Sequence, residues 1–212
     1  MGMEQLLRGH ERFLQEVYPR ERDLFEKLAG GQKPEVLLVT CSDSRVDPSL
    51  LTQTRPGDLF VIRNAGNLVP AYGTPVGGEG ATLEYAVAAL GVRHIVVCGH
   101  SGCGAMGGLL SPASLDALPQ VRQWLVHAER TRQIVEDAHG NDSPEVKLAR
   151  AIELNVLAQL DALRTHPPVA KAIARGELEL HGWVYDIGSG RLNAYRPEDN
   201  AFTPLVDAPS KG

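Results

Sequence analysis

The sequence predicts an α/β fold with a mainly parallel central sheet, an antiparallel edge hairpin, helices on both faces and extended N-terminal helices. Three short, β-branched apolar runs follow one another along the chain, separated by helical patterns, as in a parallel sheet covered on both faces. Two later strand-like runs flank the Gly-rich turn 186–190, which is typical of a hairpin. In such sheets ligands bind beyond the carboxyl ends of the strands.

The individual elements follow from periodicity and from turn residues. Residues 1–30 are expected to be helical, because Leu6, Phe13 and Val17 recur at helical spacing. Ser143-Pro144 is a helix start, and Pro167-Pro168 is expected to stop the same helix. The sequence therefore predicts strands at 36–40, 59–62, 95–98, 178–185 and 192–195, and helices at 80–90, 119–137 and 143–165.

Composition disfavours nucleic-acid-binding, membrane-spanning and disulfide-rich proteins. The 212 residues suit a single domain over 1–212, and a formal net charge of −5 without a basic run disfavours nucleic-acid binding. The longest apolar runs, such as 86–90, are far shorter than the ~20 residues of a membrane helix, so no membrane span is expected. Three cysteines argue against a disulfide framework and favour a reducing, cytoplasmic location.

Two thiols and an imidazole follow neighbouring strands of the predicted sheet. Cys41 comes directly after the first strand, and His100 and Cys103 follow the third in a His-x-x-Cys sequence. Two thiolates and an imidazole select zinc over magnesium or calcium. Because three protein ligands leave one tetrahedral position open, the pattern predicts one catalytic Zn²⁺ per chain.

Two charged residues follow Cys41 at short offsets. Arg45 can hold the Asp43 carboxylate ionised through a charge-assisted pair. Asp43 would then accept the hydrogen bond of a zinc-bound hydroxide and orient it towards an electrophile. The same carboxylate could instead take the fourth zinc position and switch the site off.

Other interpretations of these segments are weaker. Residues 102–107 fit Gly-x-Gly-x-x-Gly, but position 127 is His where a dinucleotide site needs an acidic residue. A Cys-based phosphatase loop needs five residues between Cys and Arg, and only three separate Cys41 from Arg45. A non-catalytic zinc-binding domain stays open. Cys98 is expected in the core, His94 has no partner at ligand spacing, and the place of His181 is undecided.

Cys-x-Asp-x-Arg at 41–45 with His-x-x-Cys at 100–103 resembles the β-class carbonic anhydrases, and the similarity extends over nearly the whole chain. It includes the segments 57–67, 84–87 and 181–186. The resemblance implies reversible hydration of carbon dioxide to bicarbonate. It also implies a homodimer or tetramer in which a helical arm, residues 1–30, packs on the partner subunit. Hydrolases of carbonyl sulfide and carbon disulfide resemble the same family and remain an alternative.

The resemblance also assigns a substrate pocket by sequence offset. It implies substrate-binding roles for five residues: Gln32, Phe60, Ala65, Tyr85 and Gly104. Some family members hold inhibitory bicarbonate on a Trp, an Arg and a Tyr. Arg63 and Tyr185 match that set, but Leu38 stands in place of the Trp. We therefore expect the plant-like form, in which Asp43 does not occupy the zinc.

Overall fold

The computed structural model describes residues 2–75 and 77–206. By its contacts the chain divides into two units, Met1–Lys33 and Pro34–Gly212. The first unit contains α1 (Met3–Arg12), a π-helical segment (Phe13–Val17) and α2 (Arg22–Ala29). The helices predicted within 1–30 are thus confirmed, with a break before α2.

A six-stranded sheet forms the centre of the second unit. Its strands are β1 (Val36–Cys41), β2 (Leu59–Asn64), β3 (His94–His100), β4 (Glu179–Asp186), β5 (Arg191–Arg196) and β6 (Ala201–Pro204). Their order is β2-β1-β3-β4-β5-β6; the first four run parallel, and β5 and β6 add antiparallel strands at one edge. The predicted fold class is confirmed. The predicted hairpin has a third strand, β6, whose four residues end in a proline, a residue confined to edge strands.

Helices surround this sheet. They are α3 (Pro48–Thr52), α4 (Gly78–Glu84) with a π-helical continuation (Tyr85–Leu90), α5 (Gly104–Leu110), α6 (Pro119–Leu125), α7 (Glu129–His139), α8 (Pro144–Arg164) and α9 (Pro167–Ala174); short 3₁₀ turns cover Pro112–Leu115 and Val126–Ala128. The helix predicted at 119–137 is two helices, α6 and α7, separated by the second of these turns.

The prediction that Pro167-Pro168 ends the long helix was only partly correct. The chain leaves α8 before them, but both prolines then begin α9, since a first helical turn tolerates proline.

The long helix α8 packs directly on the middle of the sheet. A Cβ added at Gly182 in β4 would lie 2.9 Å from Val156 Cγ1, and one added at Gly99 in β3 would lie 3.0 Å from Val156 Cγ2. Both strand glycines therefore allow α8 to approach the backbone closely. This contact lies at the carboxyl end of β3, where His100 is the last strand residue before the loop to α5.

Within the described residues, no helix combines the length and the apolar character needed to cross a membrane.

Candidate metal centre

Three potential metal ligands meet at the carboxyl ends of two neighbouring parallel strands. Cys41 is the last residue of β1 and His100 is the last of β3, so the parallel register of these strands brings both to one edge of the sheet. Cys103 immediately precedes α5, after a turn in which Gly102 adopts φ +64°. The donor atoms of all three side chains lie within 4.8 Å of one another, and all three residues are buried. The set predicted from the sequence is therefore brought together.

The imidazole of His100 is oriented as a metal ligand. Its Nδ1 lies 3.0 Å from the Ser101 carbonyl oxygen, which can only accept, so Nδ1 carries the proton. Its Nε2 is buried and has no hydrogen-bond partner within the described part of the chain. A buried polar atom without a partner is rare and costly, and coordination of a cation by the Nε2 lone pair would satisfy it.

The two thiols are coupled by a hydrogen bond that lowers the pKa of one and raises the pKa of the other. Hydrogen bonding from the Cys103 thiol lowers the pKa of Cys41 to about 4, against the opposing effect of burial. The Cys41 thiolate, together with burial, raises the pKa of Cys103 above its usual value. A divalent cation would replace the hydrogen-bonded proton and stabilise both thiolates. The donor set thus fits Zn²⁺.

Asp43 and Arg45 form a bidentate ion pair beside these ligands. Arg45 donates from Nε to Asp43 Oδ1 at 2.9 Å and from Nη2 to Asp43 Oδ2 at 2.7 Å. The guanidinium thereby holds the pKa of the Asp43 carboxyl well below its usual range. Asp43 Oδ2 lies 3.9 Å from His100 Nε2, so a carboxylate oxygen faces this candidate ligand.

A second arginine fixes the loop that carries this pair. Arg63 in β2 donates from Nε to the Cys41 carbonyl at 3.2 Å and from Nη2 to the Asp43 carbonyl at 2.9 Å. The family resemblance linked Arg63 only to an inhibitory pocket, so this bridging role was not predicted. The signal lay in the strand register, which pairs Arg63 with Thr40, next to Cys41.

The residues predicted for the substrate pocket have different places. Phe60 in β2 and Tyr85 at the start of the π-helical segment lie in contact, with ring centroids 6.1 Å apart. Gly104 is the first residue of α5, next to Cys103. The Ala65 carbonyl accepts a hydrogen bond from Trp124 Nε1 at 2.8 Å. Gln32 belongs to the first unit. The substrate-binding roles of these five residues remain predictions.

Tyr85 also lines a cavity of about 640 Å³ together with residues of the 70–81 segment and His166. Cys41, His100 and Cys103 are not among its lining residues. The cavity is therefore separate from the metal centre.

Cys98 lies on β3 but does not belong to the candidate metal centre. It is buried in a cluster with Leu38 and Val96, and burial raises the pKa of its thiol to about 12. Its predicted place in the core is confirmed.

Comparison with known proteins identifies the relatives of this chain. A family model described as carbonic anhydrase matches residues 36–192. A carbonic anhydrase of Pseudomonas aeruginosa is 53% identical over 207 residues, covering 98% of this chain and 94% of that protein. The solved β-carbonic anhydrase CcaA is 48% identical with a TM-score of 0.94, covering 95% of this chain and 98% of that one. A structure from a study of two tetrameric β-carbonic anhydrases of Sordaria macrospora is 35% identical with a TM-score of 0.81, covering 90% and 95% of the two chains.

Proposed function

The chain belongs to the β-class carbonic anhydrases, and from that membership we propose that it hydrates carbon dioxide reversibly to bicarbonate and a proton, using one Zn²⁺ held by Cys41, His100 and Cys103. One observation supports this above all others. The unpartnered Nε2 of His100 and the two thiols converge beside a carboxylate that Arg45 keeps ionised. Three protein ligands beside an acceptor are the arrangement of a catalytic rather than a structural zinc.

Zinc bound to these ligands would lower the pKa of water to about 7 and so supply a nucleophile near neutral pH. The chain's own residues orient that reaction. Asp43 Oδ2 receives one hydrogen bond from Arg45 and keeps acceptor capacity on the side of the metal ligands. A water hydrogen-bonded there turns an oxygen lone pair towards the carbon of carbon dioxide, and the proton leaves to solvent.

Arg45 and Arg63 act as positioning residues in this proposal. Arg45 also donates to the Gly102 carbonyl at 3.2 Å, which ties Asp43 to the turn that precedes Cys103. Arg63 holds the backbone on both sides of Ser42 through its two carbonyl contacts. The Arg45 charge pairs directly with the Asp43 carboxylate. From the resemblance we further propose substrate-binding roles for Gln32, Phe60, Ala65, Tyr85 and Gly104.

The proposal includes an open site at neutral pH. The two hydrogen bonds from Arg45 hold the Asp43 carboxylate in place, which opposes its movement onto the zinc. Leu38 fills the position of the tryptophan that some relatives use for inhibitory bicarbonate, and it is buried against Val96 and Cys98. These two features support constitutive activity.

The active assembly is proposed to be a homodimer or tetramer in the cytoplasm. The relatives from Sordaria macrospora are described as tetrameric. In the first unit, Leu6, Leu14 and Val17 are exposed apolar side chains, which supports packing of the arm 1–30 on a partner subunit. All three cysteines are free, in keeping with a reducing compartment.

Replacement of a ligand cysteine tests the proposed function. Cys41→Ser should lose both bound zinc and carbon dioxide hydration, because a soft thiolate ligand is removed. Cys98→Ala is the matched control, since Cys98 is equally buried but lies outside the cluster, and it should keep both. Zinc content by mass spectrometry and stopped-flow hydration are measured together. Full zinc and full activity in Cys41→Ser would refute the assignment.

A further inference from the structure

A second group of metal-ligand side chains lies at the opposite end of the sheet. His94 begins β3 and Glu179 begins β4, and the parallel register pairs them directly. His181 lies two residues after Glu179, so alternation places its side chain on the same face. His94 and His100 are separated by six residue steps of an extended strand, roughly 20 Å. The group is therefore distinct from the centre at Cys41.

The donor atoms of this group converge. His94 Nδ1 lies 3.2 Å from His181 Nε2, and Glu179 Oε2 lies 3.7 Å from each of these nitrogens. Two imidazole nitrogens on one tetrahedral zinc, each at its usual bond length, stand about 3.3 Å apart. The nitrogen separation is that of a hydrogen bond between the two rings, and it also matches two nitrogens on a shared metal that would replace the bridging proton. The Glu179 side chain is 70% exposed, which leaves it free to shorten its two distances.

The chemistry of the three side chains selects the kind of ion. Two imidazoles with one carboxylate suit Zn²⁺ and neighbouring transition metals and disfavour Ca²⁺ or Mg²⁺. A neutral His181 ring has one nitrogen lone pair to offer a metal ion. The side chains of His94 and His181 are 40% and 36% exposed, so an ion from solvent can reach them.

We propose that His94, Glu179 and His181 form a second metal site, which binds a divalent transition-metal ion such as Zn²⁺ and completes its coordination with water. The ion would cross-link the N-terminal ends of β3 and β4. Because it binds only the folded chain, it would raise the melting temperature as its concentration rises. The site does not take part in the hydration of carbon dioxide.

Metal counting tests the proposal on the full-length protein. Protein is loaded with zinc, freed of excess ion and titrated calorimetrically with ZnCl₂, and crystals grown with added zinc are measured at the zinc absorption edge. We expect a second equivalent per chain and an anomalous peak between His94 Nδ1 and His181 Nε2. A single equivalent, with no peak at this position, would overturn the proposal and leave a hydrogen-bonded histidine pair.

Two substitutions assign the second equivalent, and a third serves as their control. His181→Gln and Glu179→Gln should abolish it or weaken it at least tenfold, while the first equivalent and the hydration rate stay unchanged. Because the Glu179 side chain is exposed, Glu179→Gln should leave the packing of the sheet unchanged. His127→Gln is the matched control, because His127 is exposed on the turn between α6 and α7, and it should bind both equivalents. Retention of the second equivalent by His181→Gln and Glu179→Gln would refute the assignment.

Discussion

The Arg45 guanidinium donates two hydrogen bonds to the Asp43 carboxylate, from Nε to Oδ1 at 2.9 Å and from Nη2 to Oδ2 at 2.7 Å. The backbone N–H of Arg45 also donates to Asp43 Oδ1, at 3.0 Å. Three donors from one residue hold a negative charge 3.9 Å from the Nε2 of His100. The carboxylate is therefore pre-organised before any substrate arrives. The first prediction follows from this pair.

Asp43→Asn should keep its zinc and lose about 10–100-fold in kcat/KM, because the amide cannot serve as a charged acceptor beside the ligands. Asp161→Asn, which removes a carboxylate that forms exposed ion pairs with Arg130 and Arg164 on the surface, is the control. Stopped-flow assays on zinc-quantified samples compare the two. Unchanged turnover in Asp43→Asn would remove this residue from the mechanism.

Arg63→Lys should lower kcat about tenfold with little change in KM, since a positioning effect acts on the transition state and a single ammonium cannot replace both carbonyl contacts. Zinc content should stay near one per chain. Arg175→Lys, at the exposed end of α9, serves as the control. An equal loss in both variants, or a change in KM alone, would argue against the proposed role of Arg63.

Gly182→Ala should destabilise the fold by about 1–3 kcal/mol, because the added methyl group would overpack the contact with α8. The new Cβ would lie 2.9 Å from Val156 Cγ1 and 3.2 Å from Leu160 Cδ1. Gly107→Ala in α5 is the control, since its Cβ meets nothing within 4 Å, and alanine in a helix should stabilise by about 0.5–1 kcal/mol. Urea unfolding curves measure the free energy of unfolding of both variants. Equal stabilities would show that α8 can shift away from β4.

A crystal structure of the zinc-loaded protein near pH 7 should show the Asp43–Arg45 pair intact and the carboxylate away from the metal. By the family resemblance, Leu38 is expected to stand where an inhibitory pocket has a tryptophan, and it is only 2% exposed. Nothing at that position therefore favours release of Asp43. Coordination of zinc by Asp43 at this pH would contradict the open form.

Local sequence signals predicted the sheet and the clustering of Cys41 with His100, because strand ends in a parallel sheet meet at one edge. Short elements were harder to predict. Strand β6 has only four residues and ends in proline, so its pairing with β5 comes from tertiary contact. The turn Val126–Ala128 between α6 and α7 contains no proline or glycine, so no signal in the sequence marks the break.

Contacts between distant segments were also hidden from the sequence. His94 and His181 are 87 residues apart and meet only through the register of β3 and β4. Arg63 reaches Cys41 and Asp43 for the same reason, through β2 and β1. Spacing along the chain detects ligands within one loop, such as His100 and Cys103. It does not detect partners that lie on separate strands and share no motif.

Stopped-flow hydration of carbon dioxide by zinc-quantified protein, at pH 7 and again at pH 8.5, tests the central claim most directly. Fast turnover at both values is predicted, because a catalytic zinc is proposed on the Cys41, His100 and Cys103 cluster, with Arg45 holding Asp43 away from it. Activity at pH 8.5 alone would support carbonic anhydrase activity but contradict an open site at neutral pH. No turnover at either pH, with one zinc per chain, would contradict the account.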